Sequence, residues 1–324
     1  MTYKGKKILI TGGTGSLGKK ITERLLQLGA QPIIYSRDEG KQAGIFNHNE
    51  NVVKIIGDVR DYQKLDVSLQ RHAPDYIIHA AALKRIDDME FYPDECIKTN
   101  IHGSENIARA ALKNNIKKCI LVSTDKACQP VNVYGSSKFI AERIFTNYDY
   151  NSRSTIFSSV RYGNVIASRG SFIPMWLERL EAGETLEVTS REMTRFLFTL
   201  GDAVDTVLGA LQNAVGGEVF IPQINSYRLP TVLECLSELS GKPISTTVTG
   251  LRPGEKLHED MLCVTELPFA YKVKDLNLLQ IRPQYTHKTY QQWDKYDGPE
   301  FNSALHVSDD SAQLLPLIKR GLTQ

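Results

Sequence analysis

The chain has 324 residues, with 39 Lys and Arg against 37 Asp and Glu, a formal charge of +2. That balance excludes a protein that holds nucleic acid or an anionic membrane by bulk charge, because such a protein needs a basic excess to replace counterions. At 41% hydrophobic and 23% charged, the composition is that of a globular protein with a large core, long enough for two lobes.

In chain order, strands are expected at 7–11, 32–35, 52–56, 76–79, 119–122 and 156–161, and helices at 16–28, 95–112 and 136–148. The first helix rests on Leu17, Ile21, Leu25 and Leu28, spaced four, four and three, which is one helical stripe. Short β-branched runs alternating with such stripes mark βαβ units and a parallel sheet covered on both faces, a doubly wound Rossmann-type α/β fold. After Arg161 the rhythm loosens, and Pro and Gly break the chain into short pieces. The expected division is a dinucleotide-binding domain at 1–165 with a returning segment at about 194–225, and a smaller substrate lobe made of 166–193 and 226–324.

Five cysteines stand far apart, without a Cys-x-x-Cys pair or histidines at ligand spacing, and read as reduced thiols with no metal site. The N-terminal apolar run is too short for a signal peptide core, and no window nears the ~18 apolar residues of a membrane span. A cytoplasmic protein without membrane attachment is expected.

Directly after the first strand stands Thr11-Gly12-Gly13-Thr14-Gly15-Ser16-Leu17-Gly18. Gly12 suits a tight turn, Gly15 the approach of a pyrophosphate, and Gly18 the packing of helix on strand, with the phosphates on the helix N-terminus. Thr14, Ser16 and Leu17 complete this loop. An NAD site places an acid about 20 residues on, at the end of the second strand. This chain has Ser36-Arg37-Asp38 there, so Ser36, Arg37 and Lys41 would hold a 2′-phosphate and the cofactor is read as NADP. The alternative leaves Arg37 in solvent and gives Asp38 to the ribose of NAD. Asp58 and Val59 would flank the adenine, and Ala80, Ala81 and Ala82 would line the path of the cofactor. Turn and packing roles remain open for all five.

Tyr134 and Lys138 stand four apart at the start of a helix, on one face. A phenol whose ordinary pKa is about 10 works as a base near neutrality only beside a cation, which Lys138 supplies while also reaching the ribose. Upstream, Ser123-Thr124-Asp125-Lys126-Ala127 follows the fifth strand, on the lip where open α/β sheets bind ligands. An acid and an amine side by side offer a second acid/base couple, which simple alcohol oxidation does not need. Lys84, after the Ala-rich strand end, is a candidate for facing substrate.

On these residues the chain resembles the extended short-chain dehydrogenase/reductases of nucleotide sugars. More narrowly it resembles the inverting UDP-N-acetylglucosamine 4,6-dehydratases of the pseudaminic acid biosynthesis type. The likeness runs from TGGTGSLG through YSRDEGKQ, GDVRD, HAAALKRIDDMEFYPDECIKTNI, STDKACQPVNVYGSSK and VRYGNVIASRGS to MTRF and LRPGEKLHEDM. It implies tightly bound, recycled NADP and a redox-neutral lyase reaction: oxidation at carbon 4, loss of water across carbons 5 and 6, and hydride return to carbon 6. Inversion at carbon 5 gives UDP-2-acetamido-2,6-dideoxy-β-L-arabino-hexos-4-ulose. In that scheme Tyr134 takes the 4-hydroxyl proton, Thr124 holds the 4-oxygen, Lys126 removes the carbon-5 proton and Asp125 protonates the leaving hydroxyl. Asn164, Arg195, Arg252 and Glu255 would hold the UDP.

Larger membrane-anchored relatives that retain carbon 5 carry methionine at the position of Tyr134, which places this chain with the inverting branch. Cys128 and Gln129 depart from the pattern, and the match weakens over 265–324, where Tyr285, Tyr290, Trp293 and Tyr296 read as packing or a subunit contact. A homo-oligomer is expected. The rival readings are a UDP-hexose 4-epimerase and a catalytically silent NADP-sensing protein.

Overall fold

The computed structural model describes residues 2–47 and 49–323. Its first half alternates strand and helix: β1 (Lys7–Thr11), α1 (Ser16–Gln27), β2 (Gln31–Ser36), α2 (Glu39–Ala43), β3 (Val53–Ile56), α3 (Tyr62–His72) and β4 (Tyr76–His79). Then come α4 (Ile86–Phe91), α5 (Pro93–Cys96), a widened π-helical turn at Ile97–His102, α6 (Gly103–Lys113), β5 (Lys118–Val122), α7 (Val133–Asn151) and β6 (Ile156–Val160).

The second half holds β7 (Asn164–Val165), α8 (Phe172–Glu181), β8 (Leu186–Val188), β9 (Thr194–Phe198), α9 (Leu200–Asn213) and β10 (Val219–Pro222). It ends with β11 (Ser226–Arg228), α10 (Leu229–Ser240), β12 (Thr246–Val248), β13 (Asp260–Leu262), β14 (Ala270–Lys272), β15 (Leu278–Ile281), β16 (Phe301–Asn302) and α11 (Ser311–Leu322).

Nine strands form one sheet in the order β14-β15-β10-β6-β5-β4-β1-β2-β3. From β3 to β10 every pairing is parallel, and β15 and β14 close the far edge antiparallel. The doubly wound α/β architecture is therefore present, with the order 3-2-1-4-5-6 of dinucleotide-binding sheets. Side-chain alternation explains the two covered faces: Ile8 and Ile10 pack with Ile21 and Leu25 of α1 and with α9, while Leu9 packs under α3, α6 and α7 with Ile107 and Phe145. Each such fully buried aliphatic contributes about 1.5–3 kcal/mol.

All six expected strands are present, within two residues of their expected ends. The helix expected at 95–112 is longer and irregular, because Ile97–His102 widens to i→i+5 bonding between α5 and α6. Residues 200–222 return to the large sheet as α9 and β10, whereas β9 pairs with β11 and β7 in a small three-stranded sheet. The stretch 226–324 also crosses over, since β14 and β15 extend the large sheet. The rest of the second half gathers around Ile166, Trp176, Leu186, Tyr227, Leu236 and Ile318. Of the tail aromatics, Tyr290 and Trp293 stack around Arg282, the Tyr290 hydroxyl donates to the Gly216 carbonyl, and Tyr285 is exposed.

Candidate active site

The turn after β1 is built for close approach. Gly12 has φ +68°, and a Cβ there would lie 2.9 Å from the backbone of Ala81 at the end of β4; one on Gly18 would press within 2.6 Å of Gly13 Cα. At Gly15 a Cβ would meet a single atom, the Gly12 carbonyl at 3.2 Å, and otherwise point into open space. Protein packing alone thus leaves room above Gly15. It is also the N-cap of α1, which has no side-chain cap, so the first-turn N–H groups remain for an anion. These features fit a dinucleotide pyrophosphate.

At the tip of β2 the Thr14 and Ser36 hydroxyls lie 2.8 Å apart. Asp38 spends its carboxylate on capping α2, where it accepts from the Lys41 amide at 2.9 Å and pairs with Lys41 Nζ at 2.5 Å. Arg37 is exposed, 3.7 Å from Asp58, while Val59 is buried beneath α6 and Ala80, Ala81 and Ala82 are half-buried at the end of β4. Arg169, unnoticed in the sequence, donates its backbone N–H to Ser16 Oγ at 3.2 Å and so brings the chain after β7 across the start of α1. Lys84 is exposed, and its ammonium is held below the usual lysine range by desolvation and by Arg169.

The second group lies past β5. Ser123 and Asp125 donate their N–H groups to the Val160 and Tyr162 carbonyls, at the end of β6 and just past it, at 2.7 and 2.9 Å, which carries the strand pairing into the turn Asp125–Ala127. Asp125 is buried, and its Oδ1 accepts from Thr124 Oγ1 and from Lys126 Nζ, each at 2.9 Å. Its Oδ2 is buried without a hydrogen-bond partner. Desolvation disfavours the Lys126 charge, but Asp125 and Glu259 outweigh it and hold the ammonium above its ordinary range.

Helix α7 rises against this turn. Its N-cap Asn132 accepts from the Gly135 amide at 2.7 Å. A side chain at Gly135 would overlap the Lys126 carbonyl oxygen, so glycine there is what lets the acid/base turn rest on the helix bearing Tyr134 and Lys138. Burial pushes the Tyr134 phenol up to about 12, opposed by the Lys126 charge and a hydrogen bond with Thr124. Burial also lowers the Lys138 ammonium to about 8, opposed by Glu142 and Cys96. The widened turn before α6 feeds the same place: Asn100 donates to Ser137 Oγ at 2.9 Å and brackets the Leu83 backbone with both ends of its amide. Such widened turns concentrate at functional sites.

The Arg-Pro-Gly-Glu segment closes the crevice from the other side. Asn132 Nδ2 donates to the Gly254 carbonyl at 2.8 Å; Gly254 has φ +76°, and a Cβ there would come within 3.0 Å of Asn132. Arg252 is exposed and reaches Asp87 at 3.1 Å and Glu255 at 3.2 Å. Arg195 spends its guanidinium on the Thr194, Leu257 and Lys256 carbonyls at 2.8 to 3.0 Å, with Glu255 at 3.7 Å. It braces the segment in this structure. Asn164 has its Oδ1 buried and without a partner, an acceptor available to a ligand's polar edge.

Two further groups escaped the sequence reading. Glu259 is buried, 3.2 Å from Lys126 Nζ. Arg161 is fully buried between Glu142, at 2.7 Å, and Glu266, at 2.9 Å, and Ser123 donates to the same Glu142. Cys128, one of the sequence departures, packs against Glu266 and Cys263, with ligand atoms of the three within 4.8 Å of one another. Both oxygens of that carboxylate already answer Arg161.

A glycine-turned nucleotide crevice facing a Tyr/Lys helix and the tip of the fifth strand defines an extended short-chain dehydrogenase/reductase. Residues 8–280 match the polysaccharide biosynthesis protein family, and the chain belongs to it. It is 43% identical over 282 residues, 84% of this chain and 82% of its relative, to the UDP-N-acetylglucosamine 4,6-dehydratase (inverting) of Campylobacter jejuni strain 81-176. It is also 40% identical, over 83% of this chain and 81% of the other, to a UDP-glucose 4-epimerase of Rickettsia prowazekii. Among solved structures, Pen from Bacillus thuringiensis superposes with a TM-score of 0.91 at 32% identity, covering 99% of this chain and 98% of that one. The dTDP-glucose 4,6-dehydratase DesIV of Streptomyces venezuelae, solved with NAD, shares the fold (TM-score 0.70, 20% identity, 78% and 86% covered). Among the described residues, no helix is long and apolar enough to cross a membrane.

Proposed function

We propose that this protein is an inverting UDP-N-acetylglucosamine 4,6-dehydratase, a hydro-lyase dependent on a nicotinamide cofactor. The observation that carries the reading is the buried Thr124-Asp125-Lys126 turn seated on Tyr134 through Gly135, in a chain 43% identical to an enzyme of that name. A nicotinamide bound in the crevice would supply reversible two-electron exchange with the sugar.

The protein's residues do the proton work. Tyr134 receives the proton of the 4-hydroxyl; burial raises its phenol and the Lys126 charge and Thr124 oppose that, and Lys138, one helical turn on, is proposed to add its charge in favour of the phenolate as the alcohol is oxidised. Thr124, whose hydroxyl donates to Asp125 in this structure, would turn that O–H to the 4-oxygen. The ketone acidifies carbon 5. Lys126 and Asp125 rest as an ion pair, so the working microstate, neutral amine beside carboxylic acid, is reached when one proton crosses their 2.9 Å contact. Lys126 then takes the carbon-5 proton, and Asp125, whose buried Oδ2 has no hydrogen-bond partner, protonates the 6-hydroxyl as water leaves.

The cofactor is proposed to be NADP. Asp38 is committed to capping α2 and to Lys41 Nζ, which leaves Ser36 and Arg37 to meet a 2′-phosphate, with Lys41 joining them by giving up its pair with Asp38. Asn164, Arg252 and Glu255 are proposed to meet the UDP, with Arg195 bracing them and Lys84 at the rim. A second copy is proposed as partner, because Phe91, Tyr92, Ile97, Phe139 and Ile140 expose apolar surface on neighbouring helices; sedimentation velocity reads the subunit number.

Incubation with UDP-N-acetylglucosamine in heavy water tests the function. The expected product carries one deuterium at carbon 5, ring couplings of the inverted sugar, and a 4-keto chromophore in alkali, with no net NADPH change. The epimerase reading, which the Rickettsia relative's name raises, needs no acid/base couple at Asp125 and Lys126, and predicts a C4-epimerised UDP sugar without label. Cofactor released on denaturation and weighed by mass spectrometry separates NADP from NAD.

A further inference from the structure

Lys126 is held from two sides. Asp125 approaches on its own turn, and Glu259 comes from the segment leading into β13, with Oε1 at 3.2 Å from the ammonium. Glu259 is only 2% exposed. Its backbone is pinned in both directions: its N–H donates to Ser303 Oγ at 2.7 Å, and its carbonyl accepts from the Ser303 N–H at 2.8 Å. Ser303 Oγ in turn lies 2.6 Å from Thr194 Oγ1, which meets His258 Nδ1 at 2.8 Å. The carboxylate is therefore placed by a rigid polar frame.

Among the described residues, two buried carboxylate oxygens lack any hydrogen-bond partner, Asp125 Oδ2 and Glu259 Oε2. Both belong to the acids that hold Lys126. An unmet buried acceptor is costly, and its occurrence twice around one amine shows that both acids turn their paired oxygens to Lys126 at the expense of the other. The other charged or titratable groups facing the amine are Arg195 from β9, whose Nε lies 3.9 Å from Glu259 Oε1, and the Tyr134 phenol from α7.

We propose that Glu259 is a positioning residue for the elimination step: together with Asp125 it fixes the Lys126 amine in place, so that the amine meets the carbon-5 proton in one geometry. This rests on the dehydratase reading. No group is added to the reaction. The proton moves from carbon 5 to Lys126 Nζ, and Glu259 stabilises the resulting ammonium without exchanging atoms. Without the carboxylate the amine is held from one side only and loses its fixed place, so the rate of proton removal falls while substrate binding stays as it was.

The test uses Glu259→Gln and Glu259→Asp in the full chain, checked for folding by circular dichroism. In protein carrying carbon-13-labelled lysine, the NMR titration midpoint of Lys126 is expected to fall by about one pH unit or more in Glu259→Gln, a tenfold change in proton affinity, and to stay near the wild-type value in Glu259→Asp. With UDP-N-acetylglucosamine, Glu259→Gln is expected to lose about tenfold or more in kcat for carbon-5 deuterium incorporation, with KM changed less than about twofold. An unmoved Lys126 midpoint in Glu259→Gln overturns the proposal. So does a folded Glu259→Asp that loses the midpoint when Glu259→Gln does not fold, or a loss expressed in KM alone. The titration uses no substrate. Failure of wild-type protein to label carbon 5 therefore counts against the dehydratase reading, and an unmoved lysine midpoint counts against Glu259.

Discussion

The two walls of the crevice are built by different physics. The wall formed by β1, α1, β4 and β5 is regular backbone with apolar faces, and its chemistry is backbone chemistry: glycine turns, free N–H groups, strand ends. The wall formed by residues 252–266 has little regular structure. It is held by side chains to distant partners, with Arg252 on Asp87, Asn132 on Gly254, Lys256 on the Cys128 carbonyl at 2.8 Å, and Arg161 on Glu266. The first wall is stabilised by burial and needs no particular partner; the second depends on specific ones. A nucleotide common to many enzymes suits the former, and a particular sugar suits the latter.

Breaking the chemistry where the walls meet has the largest expected effect. Tyr134→Phe should lower kcat by about 10³–10⁴ while cofactor binding, read by fluorescence titration, stays near wild type; intact turnover would remove the phenol from the mechanism. Asp125→Asn with Lys126→Ala should lower dehydration by about 10²–10⁴ yet leave oxidation at carbon 4 detectable in a single turnover, and undiminished water loss would refute their roles.

The contrast in cohesion is tested by stability. Arg161→Ala strands Glu142 and Glu266 and is expected to cost about 3–5 kcal/mol; Leu9→Ala in the first wall is expected to cost about 2–5 kcal/mol. Only the former should also lower kcat in the folded protein, since it lies under the acid/base turn. Equal kcat in the two variants would erase the distinction. Asn132→Ala should cost about 1 kcal/mol as a lost cap and also loosen Gly254, seen as faster amide exchange in 252–256.

The smallest effect is on pH. Burial holds the Lys138 ammonium near 8, below its ordinary value, so its charge, and the help proposed for Tyr134, fades as pH rises through that value. Activity is expected to fall on the alkaline side near pH 8, and Lys138→Arg, which stays charged, should carry that limb upward. An unmoved limb would assign it to another group. The same shift means that Lys138 lowers stability as pH falls from its unfolded range toward 8, because the unfolded chain then binds the proton first.

The first wall was legible in the sequence for the reason that makes it regular. The alternation of Ile8, Leu9 and Ile10 and the stripe of Ile21 and Leu25 are local patterns, and the glycine spacing is local too. Helix α3 was passed over because Leu65 and Leu69 give it too sparse a stripe. The strands β14 and β15 were not assigned to the large sheet, since nothing near 270–281 tells which edge they join. Glu259 and Arg161 were invisible as site residues for the same reason. Their partners lie 133 and 105 positions away, and a charge pattern at that range has no period to read. Asn132 did leave a signal, an asparagine just ahead of an expected helix, but only its bond to Gly254 shows why that cap matters.

Asn132 uses one amide for two tasks, its oxygen on the first turn of α7 and its nitrogen on the Gly254 carbonyl. The loop that would grip the nucleotide sugar and the helix that bears the phenol therefore share a single joint. Any movement of that loop away from α7 would have to break a bond made at the helix start, which ties the position of the loop to the seat of the phenol.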